Sequence, residues 1–487
     1  MGAFDELING MAAGREWALM GNGDGVRDLL GKVYGERYHA ANHHRERYQA
    51  RVNLQKSKDN ASFAGWITAE NPTSGPYEGT SFVWFPGERG SVAILGIGTN
   101  GFGSDTHILG RPGHARRLRA LARLHRGTLW VKPDLLDLGA PVPSAVTERW
   151  PEIESALKSY ERVIYAATAV RGAGDATAVA DLLDLFFSEH QTPLTGEAKK
   201  RWEHRQADTR TAIFPRRTED EVLELLRERR FVVLEGPPGT GKTRLALRLA
   251  ERVGSHTSIQ FHPARTYEDF VVGLFPEPAA DGLAFHVRPG DLIRANDAAR
   301  EREHVLVIDE LNRADLSRVL GEAIALFEVG EADRSVCLPH VPAGHLAELR
   351  LNPQLYVLGT RNTADRTIAR MDLAIRRRFA FVPVWPDPEP VRAQEVELAE
   401  ALFADVLDVF TEYTDEETLR LVPGHAYFLD PRPDLGKDGR PQRVARRLRL
   451  ELLPLLREYV DERLCGAASE TIAGLADRVE GRLLEIE

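Results

Sequence analysis

The chain has 487 residues, a formal net charge of −10 and 43% hydrophobic residues; at roughly 100–200 residues per domain, that predicts two to four domains with sizeable cores. No apolar run reaches the ~18 residues of a membrane-spanning helix, and the start, MGAFDELINGMAAGREWALM, has early acids and no basic region of the secretory kind. The two cysteines, Cys337 and Cys465, are far apart and lack metal spacing, which excludes a disulfide framework and fits a reducing cytoplasm.

Residues 1–60 read as helical in part. Glu6 stands where a myristoylation signal wants Ser or Thr. His39 and His43 lie one helical turn apart, but no Cys or carboxylate pair accompanies them, so a solvated face is expected rather than a metal site. From Phe63 the character changes. FAGWI (63–67), TSFVWF (80–85) and SVAILGI (91–97) are strand-like runs parted by Pro/Gly-rich turns, which predicts a small β-rich module. The GTNGFG stretch (98–103) has no Lys and no helix following at the right place, so it reads as a plain turn.

Residues 111–132 carry basic residues and no acid, with Leu118, Leu121 and Leu124 at helical spacing. Two readings stay open: a solvated amphipathic helix, or a phosphate-backbone contact through Arg116, Arg117, Arg119 and Arg123. A net acidic chain must contact nucleic acid through such a local patch. Trp66, Tyr77, Trp84 and Phe85 could stack a base, and could equally be core. Residues 148–190 read as two helices, and 201–217 as a polar, basic linker closing an N-terminal α+β domain at 1–200.

Thr218–Glu221 has the form of a helix capping box. Then FVVL (231–234) leads into GPPGTGKT, comprising Gly236, Pro237, Pro238, Gly239, Thr240, Gly241, Lys242 and Thr243, and a helical pattern follows. Strand, Gly-rich turn and helix are the context a phosphate-binding loop needs. Its backbone N–H groups and the helix N-terminus make a nest for an anionic phosphate chain. Lys242 is placed for the β/γ-phosphates and the Thr243 hydroxyl for Mg²⁺. A further apolar strand, HVLVI (304–308), ends in Asp309-Glu310; the first can position Mg²⁺, the second can orient the attacking water. The strand LYVLG (355–359) ends in Thr360-Arg361-Asn362, with Asn362 placed as a γ-phosphate sensor. The helix-end triplet Arg376-Arg377-Arg378 can cap its own helix or fork onto a neighbour's phosphate. Residues 387–420 and 441–487 have helical periodicity, which predicts a helical lid over 387–487 after an NTPase core at 218–386.

Several of these stretches together resemble the AAA+ NTPase subunit of McrBC-type restriction systems: GPPGTGKT, QFHPARTYEDFVVGLFP (260–276), DGLAFHVRPGDLIRA (281–295), VIDELNRADLSRVLGEAIALFE (307–328), LGTRNTADRTIARMDLAIRRRFAF (358–381) and GHAYF (424–428). The resemblance covers residues 218–460; it implies an α/β P-loop AAA+ core, a parallel sheet flanked by helices, with a C-terminal helical lid. It also implies a hexameric ring, GTP-preferring hydrolysis, and stimulation by an McrC-type partner bearing the endonuclease. Residue by residue it implies Lys242 and Thr243 at phosphate and metal, Asp309 and Glu310 as the Walker B pair, Asn362 as sensor, Arg377 and Arg378 as trans-acting arginines, and Asp365 and Arg366 in a signature facing partner and neighbour. The sequence departs from that pattern at Arg361, where Met is usual, and at Asp315, where Asn is common. The phosphate loop reads no base, so GTP and ATP both remain open. The expectation is a restriction or phage-defence motor that binds DNA, without nuclease activity of its own; the alternatives are a MoxR-like remodelling chaperone acting on a protein client, or an N-terminal ligand sensor.

Overall fold

The computed structural model describes all residues except 1, 15–22, 39–47, 55–61, 73–75, 152–153, 155–159, 280–281, 329, 331–333, 365–372 and 486–487. The chain divides into two compact units, Met1–Phe214 and Pro215–Glu487.

The first unit is built on a six-stranded sheet: β1 (Tyr48–Asn53), β2 (Phe63–Thr68), β3 (Thr80–Pro86), β4 (Ser91–Ile97), β5 (Leu129–Val131) and β6 (Ile164–Val170), in spatial order β1-β2-β3-β4-β6-β5. All neighbours are antiparallel, with Trp66 opposite Phe82 and Trp84 opposite Ala93. Because side chains alternate along a strand, Trp66, Phe82, Trp84 and Leu95 enter one core with the helices Ala3–Ala13, Gly23–Arg37 and Ala176–Glu189. Ile67, Val83, Phe85 and Ile94 enter a second cluster with Val142 and Trp150 on the opposite face.

Two expectations fail here. Residues 164–170, expected to lie in a helix, form β6, which is buried along its whole length between β4 and β5. A strand covered on both faces has no polar alternation to reveal it. The expected linker is mostly helix: Gly196–Ile213 packs Ala198, Trp202 and Thr209 inward, and Arg201 and Arg205 pair with the buried Asp181 and Asp184.

The strands of the second unit are β7 (Phe231–Gly236), β8 (Ser255–Gln260), β9 (Val272–Ala279), β10 (Gly282–Pro289), β11 (His304–Asp309), β12 (Val336–Cys337), β13 (Glu348–Leu349), β14 (Leu355–Asn362) and β15 (Ala380–Pro383). Five of them form a wholly parallel sheet in the order β15-β7-β14-β11-β8. The capping box at the unit's entrance is formed: Thr218 Oγ1 accepts from Glu221 N–H at 3.2 Å, and Glu221 accepts from Thr218 N–H at 2.6 Å. Helices cover both faces of the sheet, one through Val222, Leu226, Leu249 and Ala250, the other through Leu292, Ile293 and Val319. The antiparallel hairpin β9–β10 and the short pair β12–β13 are added to this frame. After β15 the chain turns helical, with Glu397–Tyr413, Leu453–Asp461 and Ser469–Leu484 burying Leu402, Val406, Leu456, Leu475 and Val479. No helix among the described residues is long and apolar enough to cross a membrane.

Candidate nucleotide site

The parallel sheet brings the C-terminal ends of β7, β11 and β14 side by side, where an open α/β sheet binds ligands. β7 runs into Gly236–Thr243, and the helix Lys242–Val253 starts at the loop's end. Gly239 and Gly241 both take φ of +74°, a region that a side chain disfavours. Lys242 is buried, and its Nζ donates to the Pro237 carbonyl at 2.6 Å. Thr240 Oγ1 donates to the same carbonyl at 3.0 Å.

Asp309, at the end of β11, is the hub. Its Oδ1 accepts from Thr243 Oγ1 at 2.7 Å and from Thr360 Oγ1 at 2.5 Å. Thr360 is buried on β14 and also accepts from the backbone N–H of Glu310 at 3.0 Å. Glu310 sits in the left-handed region, φ 53° and ψ 47°, which is strained for a residue with a Cβ. Three contacts fix it there: the Thr360 hydroxyl, the Arg313 N–H on its carbonyl at 2.8 Å, and an ion pair with the Arg313 side chain. Strain of this kind is tolerated only where the surroundings over-determine it. Asn362 lies opposite Gly236 in the β14–β7 register, and its carbonyl accepts from Asn312 at 3.5 Å. Arg361, the residue that departs from the expected Met, lies opposite Glu235 and pairs with it at 3.3 Å. The added charge beside Asn362 is thus met by a carboxylate on the next strand.

The two candidate arginines are placed differently. Arg377 is 67% exposed at its side chain and touches Glu328 only at 3.4 Å. Arg378 is 9% exposed and its Nε lies 3.3 Å from the same Glu328 oxygen. Arg378 is thus largely buried beside a carboxylate of its own chain, whereas Arg377 lies at the surface. Asp365 and Arg366 lie outside the described residues.

Residue identities at Thr360 and in the lid turn Gly424–Tyr427 were legible, but their contacts were not. Gly424 N–H donates to Pro238 O at 2.9 Å and Ala426 N–H to Gly239 O at 2.9 Å, so the lid is tied to the phosphate loop itself. GHAYF (424–428) is one of the stretches that carry the resemblance, but sequence alone does not show what it touches.

The expected DNA residues of the first unit fare less well. Trp66 and Trp84 are 3% and 0% exposed, so neither can stack a base; they are core. Arg116 is buried, and Arg117 pairs with Glu189, which also takes Arg111 and His114. Burial alone would raise the Glu189 carboxyl, but the His114 hydrogen bond and the charges of Arg117 and Arg111 outweigh it and hold that carboxyl well below the usual carboxylate range. The acid that answers this basic stretch is some seventy residues further on, at the end of another helix. Arg119 and Arg123 remain at the surface, donating to the carbonyls of Pro133 and Ala212. On the second face of the sheet a cavity of about 780 Å³ is lined by Phe63, Tyr77, Phe85 and Tyr160, with Arg27 and Arg51.

Residues 231–379 match the family described as AAA domain (dynein-related subfamily). Sheet order, phosphate loop and acidic strand end together define a P-loop NTPase of the AAA+ class. Two curated relatives narrow this. The chain is 30% identical over 270 residues to the Type IV methyl-directed restriction enzyme EcoKMcrB subunit of Escherichia coli strain K12, covering 51% of this chain and 57% of that protein. It is 24% identical over 189 residues to the Type II restriction enzyme BsuMI component YdiS of Bacillus subtilis strain 168, covering 31% of this chain and 55% of that one. A solved structure, a candidate ATPase from Cytophaga hutchinsonii, overlaps with a TM-score of 0.25 at 15% identity, covering 39% of this chain and 64% of that one. Together these findings support an McrB-like AAA+ protein. It spans just over half the length of the curated relatives it matches.

Proposed function

We propose that this chain is the nucleoside triphosphatase motor of an McrBC-like restriction or phage-defence system. It would work in the cytoplasm as a ring, the hexamer that the resemblance implies, bind DNA through its first unit and drive a separate McrC-like endonuclease. The observation that carries the catalytic part is the hydroxyl–carboxylate network Thr243–Asp309–Thr360–Glu310 at the mouth of the glycine loop. Its donor set fits Mg²⁺: a hydroxyl and a carboxylate oxygen lie 2.7 Å apart, and a hard cation takes oxygen ligands, commonly one or two from protein and the rest from phosphate and water. Among the described residues no group of three His, Cys, Asp or Glu side chains could hold a metal alone, which suits an ion shared with substrate. When bound, Mg²⁺ would neutralise charge on the β- and γ-phosphates.

The chain's own residues would supply the rest. The loop N–H groups and Lys242 hold the phosphates, with Lys242 leaving the Pro237 carbonyl to do so. Glu310 orients the water, Asn362 contacts the γ-phosphate, and Arg377 of a neighbouring subunit meets the charge that develops on the transferring group. For DNA, the aromatic cavity and the surface residues Arg51, Arg119 and Arg123 replace Trp66, Trp84, Arg116 and Arg117 as the contact candidates. Glu310→Gln tests the catalytic assignment. It should keep GTP or ATP binding while turnover disappears; turnover at the wild-type rate would remove Glu310 from the water-orienting role.

A further inference from the structure

The lid turn Gly424-His425-Ala426-Tyr427 lies against the phosphate loop more closely than packing alone requires. Besides the two backbone hydrogen bonds to Pro238 O and Gly239 O, a Cβ placed on Gly424 would lie 2.1 Å from the Gly239 carbonyl carbon. A Cβ placed on Gly239 would lie 2.7 Å from the Tyr427 ring. The two glycines are therefore required by contact with each other's segment.

The same turn carries His425. Its Nδ1 accepts from the backbone N–H of Asp387 at 3.1 Å. The Asp387 carboxylate in turn pairs with Arg216 at 2.5 Å, so the ring is held by the segment that enters the unit and the segment that leaves the core. Burial pushes the imidazole down to about 4, against the opposing pull of Asp387 and with the help of Arg216 and Arg244, so the ring is neutral near pH 7. A neutral ring whose Nδ1 accepts must carry its proton on Nε2. Nε2 lies 3.6 Å from where a Cβ on Gly241 would be, beside the left-handed glycine of the loop. Among the described residues it has no hydrogen-bond partner.

Resting on the phosphate-loop reading, we propose that His425 is a nucleotide-positioning residue, whose Nε2–H is the donor that the lid offers to the phosphate or ribose oxygens of a bound nucleoside triphosphate. The arrangement couples lid and loop: a nucleotide that seats against the loop also engages the lid through this donor.

Two variants separate the ring nitrogens. In His425→Asn the side-chain oxygen mimics Nδ1, so the acceptor for Asp387 N–H is kept and the distal donor is deleted. His425→Gln keeps a distal N–H and loses the near acceptor. Binding of N-methylanthraniloyl GTP and ATP to the full chain is measured by fluorescence beside thermal midpoints. Wild-type protein should bind, and Lys242→Ala should not. His425→Asn should keep its midpoint yet bind roughly tenfold more weakly, the loss expected for one hydrogen bond to a charged group; His425→Gln should bind within about twofold of wild type with a lowered midpoint. Wild-type affinity in His425→Asn, or equal losses in both variants, would overturn the inference alone. Failure of the wild type to bind would remove the phosphate-loop reading and this inference with it.

Discussion

Thr360→Val isolates the part of the site that sequence did not reveal as functional. Valine has nearly the shape of threonine, and the position is buried, so the change removes a hydroxyl without opening a hole. Two hydrogen bonds go with it: the 2.5 Å donation to Asp309 Oδ1 and the 3.0 Å acceptance from Glu310 N–H. A bond to a charged group contributes about 1.5–3 kcal/mol and a neutral one about 0.5–1.5 kcal/mol, so the loss is roughly 2–4.5 kcal/mol if neither group finds water. The larger effect is on placement. The left-handed backbone of Glu310 costs of order 1–3 kcal/mol and is held by the three contacts named above; without the Thr360 hydroxyl it should relax. Turnover should fall about 10²-fold, the scale on which a small misplacement acts, while nucleotide affinity changes little. Thr360→Ser should recover most of it. Steady-state hydrolysis beside equilibrium nucleotide binding reads both effects. Wild-type turnover in Thr360→Val would show that the hydroxyl bridge does not position Glu310.

The two arginines should separate by assay. Arg377→Ala should keep its thermal midpoint and lose turnover, with activity partly recovered when mixed with Lys242→Ala subunits; Arg378→Ala should lower the midpoint by several degrees through loss of its Glu328 contact. Glu189→Gln should destabilise the first unit at pH 7, seen by urea unfolding of residues 1–214. Because the folded carboxyl is depressed, its contribution is fully present above the unfolded value near ~4.3 and fades as pH falls below it, so the gap between variant and wild type should narrow below about pH 4. DNA binding by the first unit should weaken steeply with salt, and Arg119→Ala with Arg123→Ala should flatten that slope; gel shifts at several salt concentrations would show it, and a salt-independent affinity would rule the surface out.

The core was legible because its chemistry is local. Glycine spacing, Lys242, Thr243 and the Asp309-Glu310 strand end lie in short contiguous stretches, and each has one physical use in a strand–turn–helix context. What stayed hidden depends on partners far along the chain. Trp66 and Trp84 look like stacking candidates until the helices over that face are in place. The 111–132 stretch looks like an unbalanced cation until Glu189 arrives from the end of Ala176–Glu189. Gly196–Ile213 has too few apolar residues to announce a helix, and it is anchored instead by Trp202 and by Arg201 and Arg205 on buried aspartates. Thr360 is one hydroxyl on a buried strand, and only the register of β14 against β11 shows that it faces Asp309.

On the function proposed, the site is completed between subunits: Arg377 is exposed, and its ion pair among the described residues is with Glu328 rather than with the phosphate loop. Hydrolysis per subunit, measured across a wide range of protein concentration beside sedimentation velocity with nucleotide, tests this most directly. The specific rate should rise with concentration in step with assembly and fall toward zero in the dilute single-copy state. A single copy hydrolysing at the full rate would contradict it.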